Sequence, residues 1–164
     1  PQLLDRFGMS VEVSTVREPE LRGQGVDQRT AFDSDPDGFS TAVEANQDAL
    51  QQRVVEAQQR LGQVSIDDDL RLRISAVCGE LDVDGLRGDI VTNRAARALA
   101  AFEGRTEVSE EDVARVASCC LRHRLRKDPL EQVDSGDRVV KVFCKVFERS
   151  ESSDRADFEL ALAA

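Results

Sequence analysis

The sequence of 164 residues contains no tryptophan, no tyrosine and a single histidine. Without Trp and Tyr, it offers no platform of aromatic side chains on which bases or sugars stack. Basic residues are also few: 22 Lys and Arg stand against 32 Asp and Glu, for a formal net charge of −10. A general nucleic-acid surface needs clustered Lys and Arg, so we expect no nucleic-acid partner. No apolar run reaches the ~20 residues of a membrane helix, and we expect no membrane span.

The cysteines and the histidine are not spaced as metal ligands. Cys78, Cys119, Cys120 and Cys144 lack the paired spacing of a zinc site, and His123 stands alone. Secreted domains held by disulfides are shorter and denser in cysteine. We therefore expect no metal site, and from the residues alone each cysteine is interpreted as a small buried apolar side chain.

A phosphate loop of the form GxxxxGK[ST] and a Walker B acid are also missing from the sequence. The chain opens at Pro1 within an amphipathic segment and without a methionine. We interpret it as part of a longer protein, with room for one modest core.

The first third of the sequence predicts one strand and two helices. β-branched residues alternate over residues 9–16, which predicts a strand. Pro19, between two acids, predicts the start of a helix that contains two glycines. A cluster of turn-forming residues at 33–38 then precedes a Gln-rich, weakly apolar helix over 39–61.

Four amphipathic helices are predicted in the rest of the chain. They begin at Ser65, near Gly85, at Ser109 and at Asp134 or Ser135, the last running to about Glu148. Ser65 and Ser109 each have an acid three residues on, which resembles a capping box. The second of these helices is predicted to bury Leu86, Ile90, Ala98, Leu99 and Phe102. Such narrow apolar stripes must pack together, which predicts a small bundle, and residues 149–164 are predicted to be a disordered tail.

The segment DVDGLRGDIVTNRAARAL, residues 82–99, is the most informative. It places Arg87 between two glycines at the start of a predicted helix. Helix N-termini attract anions, and a guanidinium is a natural partner for phosphate. The residues favour a phosphate-binding role for Arg87, with the alternative that it pairs with Asp84 or Asp89.

A strand followed by a helical bundle is the layout of the far half of an AAA+ ATPase, and four strings make the resemblance specific. They are PQLLDRFG at 1–8, TVREPELR at 15–22, VCGELDVDGLRGDIVTNRAARALAAFEGRTEVSEEDV at 77–113 and CLRHRLRKDPLEQVDSGD at 120–137. In these strings the sequence resembles the C-terminal portion of the magnesium chelatase ATPase subunit, the I subunit of the AAA+ family. It departs from the family at residues 23–29, GQGVDQR, where apolar and helix-forming residues are usual.

The resemblance implies a mainly α fold, an AAA+ C-terminal helical lid bundle with a remnant of the α/β ATPase core in the form of one strand near the N-terminus. In this organisation residues 1–16 end the core, residues 17–64 form connecting helices, and residues 65–148 form a four-helix lid. Residues 149–164 are the tail.

The resemblance also implies roles for two arginines. Arg6, in LLDRFG, corresponds to an arginine finger that acts in trans on the nucleotide of a neighbouring subunit. Arg87, in GLRGD, corresponds to sensor 2, which contacts ATP bound to its own subunit. From the residues alone, Arg6 is interpreted as a surface arginine that pairs with Asp5 or Asp89, and this alternative stays open.

Two cysteines match a pair that thioredoxin reduces in plant and algal relatives. The match implies that Cys78 and Cys120 are a candidate redox pair, and the alternative of two buried core thiols stays open. Cys119 and Cys144 have no assigned role. The basic cluster at 122–127 is interpreted as completing a helix C-terminus, or as contacting a neighbouring subunit.

For the whole protein, the resemblance implies ATP and Mg²⁺ as cofactors, bound mainly by a core outside these residues. It implies a homo-oligomeric ring, a hexamer, whose ATP hydrolysis drives a D-type AAA+ subunit and a porphyrin-binding H-type subunit. Together they insert Mg²⁺ into protoporphyrin IX for chlorophyll biosynthesis, in the chloroplast stroma or in the cytoplasm of a photosynthetic bacterium. The alternative is a diverged non-catalytic paralogue or a regulatory helical module that binds intact subunits, and the two glycines at 23 and 25 favour it slightly.

Overall fold

The computed structural model describes residues 6–13, 15–125 and 135–147. Within these ranges the chain forms six α-helices: α1 (Pro19–Ser34), α2 (Pro36–Arg60), α3 (Asp68–Glu80), α4 (Arg87–Phe102), α5 (Glu110–Leu121) and α6 (Ser135–Phe147). The mainly α fold expected from the sequence is confirmed. Among the described residues, no helix has the length and apolarity needed to cross a membrane. The predicted tail and the first five residues lie outside the described ranges.

The chain divides into two compact units. The first contains residues 12–56, with α1 and most of α2, and neither helix has a buried residue. The predicted start of α1 is confirmed: Pro19 occupies its first turn and Glu20 is the acid beside it, an arrangement that suits a helix N-terminus. The predicted turn is confirmed as a break at Asp35 between the two helices.

The second unit contains residues 1–11 and 57–164, and its core lies among α3, α4, α5 and α6. The largest buried side chains in it are Ile74, Leu81, Val113, Leu121, Val139 and Phe143. Phe143 stacks on Phe147 with ring centroids 4.1 Å apart. The four helices therefore form the bundle that the apolar stripes predict.

The strand predicted over residues 9–16 is not observed. Residues 9–13 and 15–16 have no regular secondary structure, and Val13 is 92% exposed. A strand needs a ladder of hydrogen bonds to a neighbouring strand, and within the described ranges the β-interaction is a single parallel bridge between Ser65 and Glu107. Ser10 instead donates its amide to the carbonyl of Cys119 at 2.8 Å.

The predicted cap of α3 is wrong because Ser65 is used elsewhere. Its amide donates to the carbonyl of Thr106 at 2.9 Å, and its carbonyl accepts from the amide of Val108 at 3.1 Å. The helix begins three residues later, with Asp67 as its cap: the carboxylate accepts the amide of Asp69 at 3.0 Å.

The buried face of α4 also differs from the prediction. Leu86 and Ile90 are 73% and 47% exposed, Ala98 is exposed, and Leu99 and Phe102 are half-buried. The residues that are buried are small: Gly88, Thr92, Ala96, Ala100 and Ala101. Residues four apart share one face of a helix, and a face of small side chains lets the neighbouring helices of the bundle approach closely. The buried face of α4 is therefore made of small side chains and not of the large apolar side chains that the sequence predicts.

The start and the buried face of α5 follow their predictions, although the helix ends at Leu121, before the predicted stop at Asp128 and Pro129. The side chain of Ser109 accepts the amide of Asp112, whose carboxylate accepts the amide of Ser109, and this is the predicted capping box. Its predicted apolar stripe is buried throughout, at Val113, Val116, Ala117, Cys120 and Leu121. α6 begins at Ser135, which is therefore the first helical residue and not its cap, and Asp134, the other predicted cap, lies outside the described residues.

Candidate functional site

Arg87 is the first residue of α4 and is exposed. The chain enters the helix through Gly85, whose φ of +68° is a left-handed conformation that favours glycine. Leu86, at the cap position, makes no side-chain hydrogen bond to the first turn. A cation thus stands at a helix start where the residue at the cap position has no side-chain acceptor for the first amides, which suits one side of a phosphate site.

Gly88 anchors the turn that carries Arg87. A Cβ added to Gly88 would lie 2.9 Å from Cγ1 of Val83, 3.1 Å from Cδ2 of Leu121 and 3.4 Å from Sγ of Cys78. These distances leave no space for a side chain without movement of the neighbours. The sequence shows this glycine only as a neighbour of Arg87, because its packing role depends on elements distant in the chain.

Cys78 packs under this turn and is a buried free thiol. Burial raises its pKa to about 12, helped by the charge of Asp89, a hydrogen bond to Asp89 and the charge of Cys120, whereas Arg124 acts in the opposite direction. Cys78 and Cys120 belong to the same cluster of buried side chains, so the two candidate redox residues occupy one core.

Cys120 is likewise a buried free thiol. Burial and the charge of Cys119 raise its pKa to about 12, while Thr92 and Arg124 act to lower it. The hydroxyl of Thr92 has no partner of good hydrogen-bond geometry among the described residues, so we attribute its effect on the thiol to proximity rather than to a formed bond. Both thiols are protonated at neutral pH.

Arg6 is exposed in a short turn, and the main chain after it is bound by the bundle. The Nη2 of Arg124 donates to the carbonyl of Phe7 at 2.7 Å and to that of Gly8 at 3.4 Å. The Nε2 of His123 lies 3.2 Å from the same Phe7 carbonyl. In the sequence, His123 and Arg124 are part of a basic cluster, and no pattern there indicates this contact, which joins positions far apart in the chain.

The segments of Arg6 and Arg87 meet at the start of α4. A Cβ added to Gly8 would lie 3.6 Å from Cγ1 of Val91, which is one helical turn after Arg87. The structure therefore brings the main chain beside Arg6 and the helix that begins with Arg87 into one packed region. Among the described residues, no group of three or more His, Cys, Asp or Glu is arranged to hold a metal ion.

The bundle defines the class of the protein fold. The family model described as AAA lid domain matches residues 71–142, within α3 to α6, and this confirms the helical lid bundle expected from the sequence.

The particular proteins that the chain resembles are magnesium-chelatase subunits. It is 65% identical over 147 residues to magnesium-chelatase subunit ChlI of Synechocystis sp., covering 90% of this chain and 41% of the relative. It is 62% identical to the ChlI subunit of Anabaena variabilis, over 90% of this chain and 44% of the relative. It is 58% identical to the chloroplastic ChlI subunit of Chlamydomonas reinhardtii, over 90% of this chain and 35% of the relative. The resemblance read from the sequence is confirmed, and the chain spans about two-fifths of the length of these relatives.

Proposed function

We propose that this chain is the C-terminal part of the ATP-hydrolysing AAA+ subunit of magnesium chelatase and supplies two arginines to its nucleotide sites. The observation that carries the proposal is the exposed Arg87 at the start of α4, on a lid that closely matches magnesium-chelatase subunits. Arg87 acts as sensor 2 on the nucleotide of its own subunit. Arg6 acts as an arginine finger on the nucleotide of the neighbour.

Both arginines act on phosphate charge. A hydrogen bond from a guanidinium to a phosphate contributes about 1.5–3 kcal/mol, and an arginine finger accelerates related phosphoryl transfers by roughly 10³–10⁵. The sequence has no phosphate loop and no Walker B acid, so ATP and its Mg²⁺ are held mainly by a preceding core. The residues of this chain orient and sense the nucleotide.

The assembly that follows is a homo-oligomeric ring, because a finger that acts in trans requires head-to-tail interfaces, and the resemblance implies that this ring is a hexamer. Hydrolysis in the ring drives a D-type AAA+ subunit and a porphyrin-binding H-type subunit, which insert the substrate Mg²⁺ into protoporphyrin IX for chlorophyll biosynthesis. The ring works in the chloroplast stroma or in the cytoplasm of a photosynthetic bacterium. The chloroplastic name of the Chlamydomonas relative supports the first of these locations.

Cys78 and Cys120 form a redox pair in the same proposal. Their membership of one cluster of buried side chains supports it, and thioredoxin is the reductant, oxidised to its own disulfide as it returns the two thiols. Because Gly88 packs against the sulfur of Cys78, a disulfide there would alter the turn that carries Arg87.

The test mixes two variants of the complete subunit. Arg6→Ala and Arg87→Ala should each lose most ATPase activity, because each removes one arginine from every site. Mixed in equal amounts, roughly a quarter of the head-to-tail interfaces would join an intact Arg87 to an intact Arg6. We therefore expect activity to return in the mixture, measured as phosphate release.

The control separates failed assembly from failed chemistry. Each variant should still form rings of wild-type size by light scattering, and Lys141→Ala, which removes an exposed cation from α6, should keep full activity. If the rings assemble and the mixture stays inactive, the trans role of Arg6 is wrong. If Arg87→Ala alone retains full activity, the sensor role is wrong.

A further inference from the structure

The main chain that follows Arg6 is bound to the end of α5 and to the turn after it, where Nε2 of His123 lies 3.2 Å from the carbonyl of Phe7. Arg124 donates to the carbonyls of Phe7 and Gly8. Further along, the amide of Ser10 donates to the carbonyl of Cys119 at 2.8 Å. Phe7 and Gly8 precede Met9 in the chain and Ser10 follows it, so these bonds fix both the position and the direction of the segment.

Arg124 is itself fixed by the helix that precedes it. Its Nε donates to the carbonyl of Cys120 at 3.0 Å, and the adjoining residues Leu121 and Leu125 are 1% and 8% exposed. One guanidinium therefore bridges the end of α5 and the main chain of the Arg6 segment. The planar fork of five N–H donors makes this possible, whereas the single ammonium of lysine is a point donor on a flexible stem.

The same body also carries the start of α4. Gly8 lies against Val91, and Gly88 packs against Leu121 of α5. A shift of the bundle that moves Arg87 on its own nucleotide must move the anchors of the Arg6 segment as well, because close-packed interiors transmit displacement.

We propose that Arg124, assisted by His123, is a positioning residue for Arg6. Through this contact, a movement of the lid in response to the nucleotide of one site changes the position of the arginine finger that enters the next site. The inference rests on the proposed role of Arg6 as a finger. Arg124 holds the two carbonyls after Arg6 and touches no nucleotide. Its loss leaves Arg6 present but misplaced, and a displacement of about 1 Å can cost a hundredfold in rate.

The first test measures the tether without activity. In the complete subunit, Arg124→Gln removes the fork, Arg124→Lys keeps the charge, and Lys141→Ala removes an exposed cation elsewhere as the control. The amide of Ser10, which donates to the carbonyl of Cys119, reports whether the segment stays bound, and loss of the charge-assisted hydrogen bonds of Arg124 should raise its hydrogen exchange about tenfold or more. We expect this rise for both Arg124 variants and for His123→Ala to a smaller extent, and no change for Lys141→Ala.

The second test assigns the defect to the finger or to the lid. Arg124→Gln should lower kcat for ATP about tenfold to a hundredfold, with little change in KM, because Arg87 and the nucleotide pocket of the same subunit are intact. Mixed with Arg87→Ala subunits, which offer an intact tether and finger, the variant should regain activity. Mixed with Arg6→Ala subunits it should not, since neither partner then offers a well-placed finger.

The outcomes separate this inference from the proposed function. Unchanged exchange of the Ser10 amide in Arg124→Gln overturns the tether, whatever the activity. Rescue by Arg6→Ala rather than by Arg87→Ala overturns it as well, because the defect would then lie in the lid of the same subunit. Full activity of Arg6→Ala, together with faster exchange in Arg124→Gln, would leave the tether standing and refute the finger itself.

Discussion

The thiols of Cys78 and Cys120 are kept protonated by their surroundings. Each has a pKa of about 12, against an ordinary value of 9.0. The thiolate is the nucleophile in alkylation and in disulfide exchange, and a rise of this size lowers its population at neutral pH about a thousandfold. Oxidation of Cys78 and Cys120 therefore requires local opening of the core that buries the two side chains.

This residue-scale chemistry can be tested with the complete subunit. We expect iodoacetamide to modify Cys78 and Cys120 at least about a hundredfold more slowly in the native protein than in urea. Slow oxidation should then produce a disulfide that joins these two residues, identified by peptide mapping. The control variant carries Cys119→Ser and Cys144→Ser and should form the same bond. A disulfide through Cys119 or Cys144 in the parent protein would contradict the pairing.

At the scale of single elements, α5 is stabilised by a buried carboxylate. Asp112 is 1% exposed, accepts the amide of Ser109 at 2.8 Å, and accepts two hydrogen bonds from Arg105. Burial by itself raises the pKa of Asp112, but the hydrogen bonds from Arg105 and Ser109 outweigh it and hold the pKa below its ordinary value. The carboxylate therefore stabilises the fold in its charged form.

Asp112→Asn should lower the free energy of unfolding by about 2–3 kcal/mol, since it weakens a charge-assisted pair and the capping box together. Glu111→Gln, an exposed acid in the same first turn, is the matched control and should change little. Chemical denaturation at neutral pH measures both. Because the native pKa is lower than the unfolded value of about 3.9, the contribution is complete well above that value and is lost as the pH falls through the native pKa. The gap between parent and variant should therefore narrow in acid, and a constant gap down to pH ~3 would contradict the charge argument.

The helices differ in how far the sequence predicts them, and the reason is the range of the signal. The box at Ser109 is local and predicts the start of α5 correctly, because both partners lie within one turn. The similar pattern at Ser65 fails because a long-range bridge to Glu107 takes its backbone groups. The buried face of α4 fails for a related reason: the close packing around Gly88 is set by neighbouring elements and leaves Ile90 exposed.

At the scale of the whole molecule, the missing phosphate loop sets the limit of activity. We expect the isolated 164-residue chain to fold as a helical protein by circular dichroism and to release no phosphate from ATP above background. Arg6 and Arg87 can orient a triphosphate, but nothing in the sequence resembles the cradle that holds one. The complete subunit assayed in parallel is the positive control. ATP hydrolysis by the isolated chain would contradict the proposal that ATP and its Mg²⁺ are held mainly by a core outside these residues.

The candidate site divides in the same way between what the sequence predicts and what it cannot. Arg6 and Arg87 are found in distinctive short strings, so a resemblance is enough to single them out. Arg124 also lies in such a string, but its bond to Phe7 joins positions 117 residues apart. The acceptor is a main-chain carbonyl, which every residue possesses and no side-chain pattern reveals.

Several arginines in the unit that contains α3 to α6 donate to main-chain carbonyls, and this affects how the stability of the unit depends on ionic strength. Arg60 donates to the carbonyl of Ala101 and Arg97 to that of Val64, as Arg124 does to Phe7. A carbonyl carries no net charge, so dissolved ions screen these bonds less than they screen exposed pairs such as Lys145 with Glu80. Salt also relieves the mutual repulsion of an excess of carboxylates. In this strongly acidic chain, the hydrogen bonds from arginines to main-chain carbonyls therefore persist at high salt concentration, whereas the exposed ion pairs weaken.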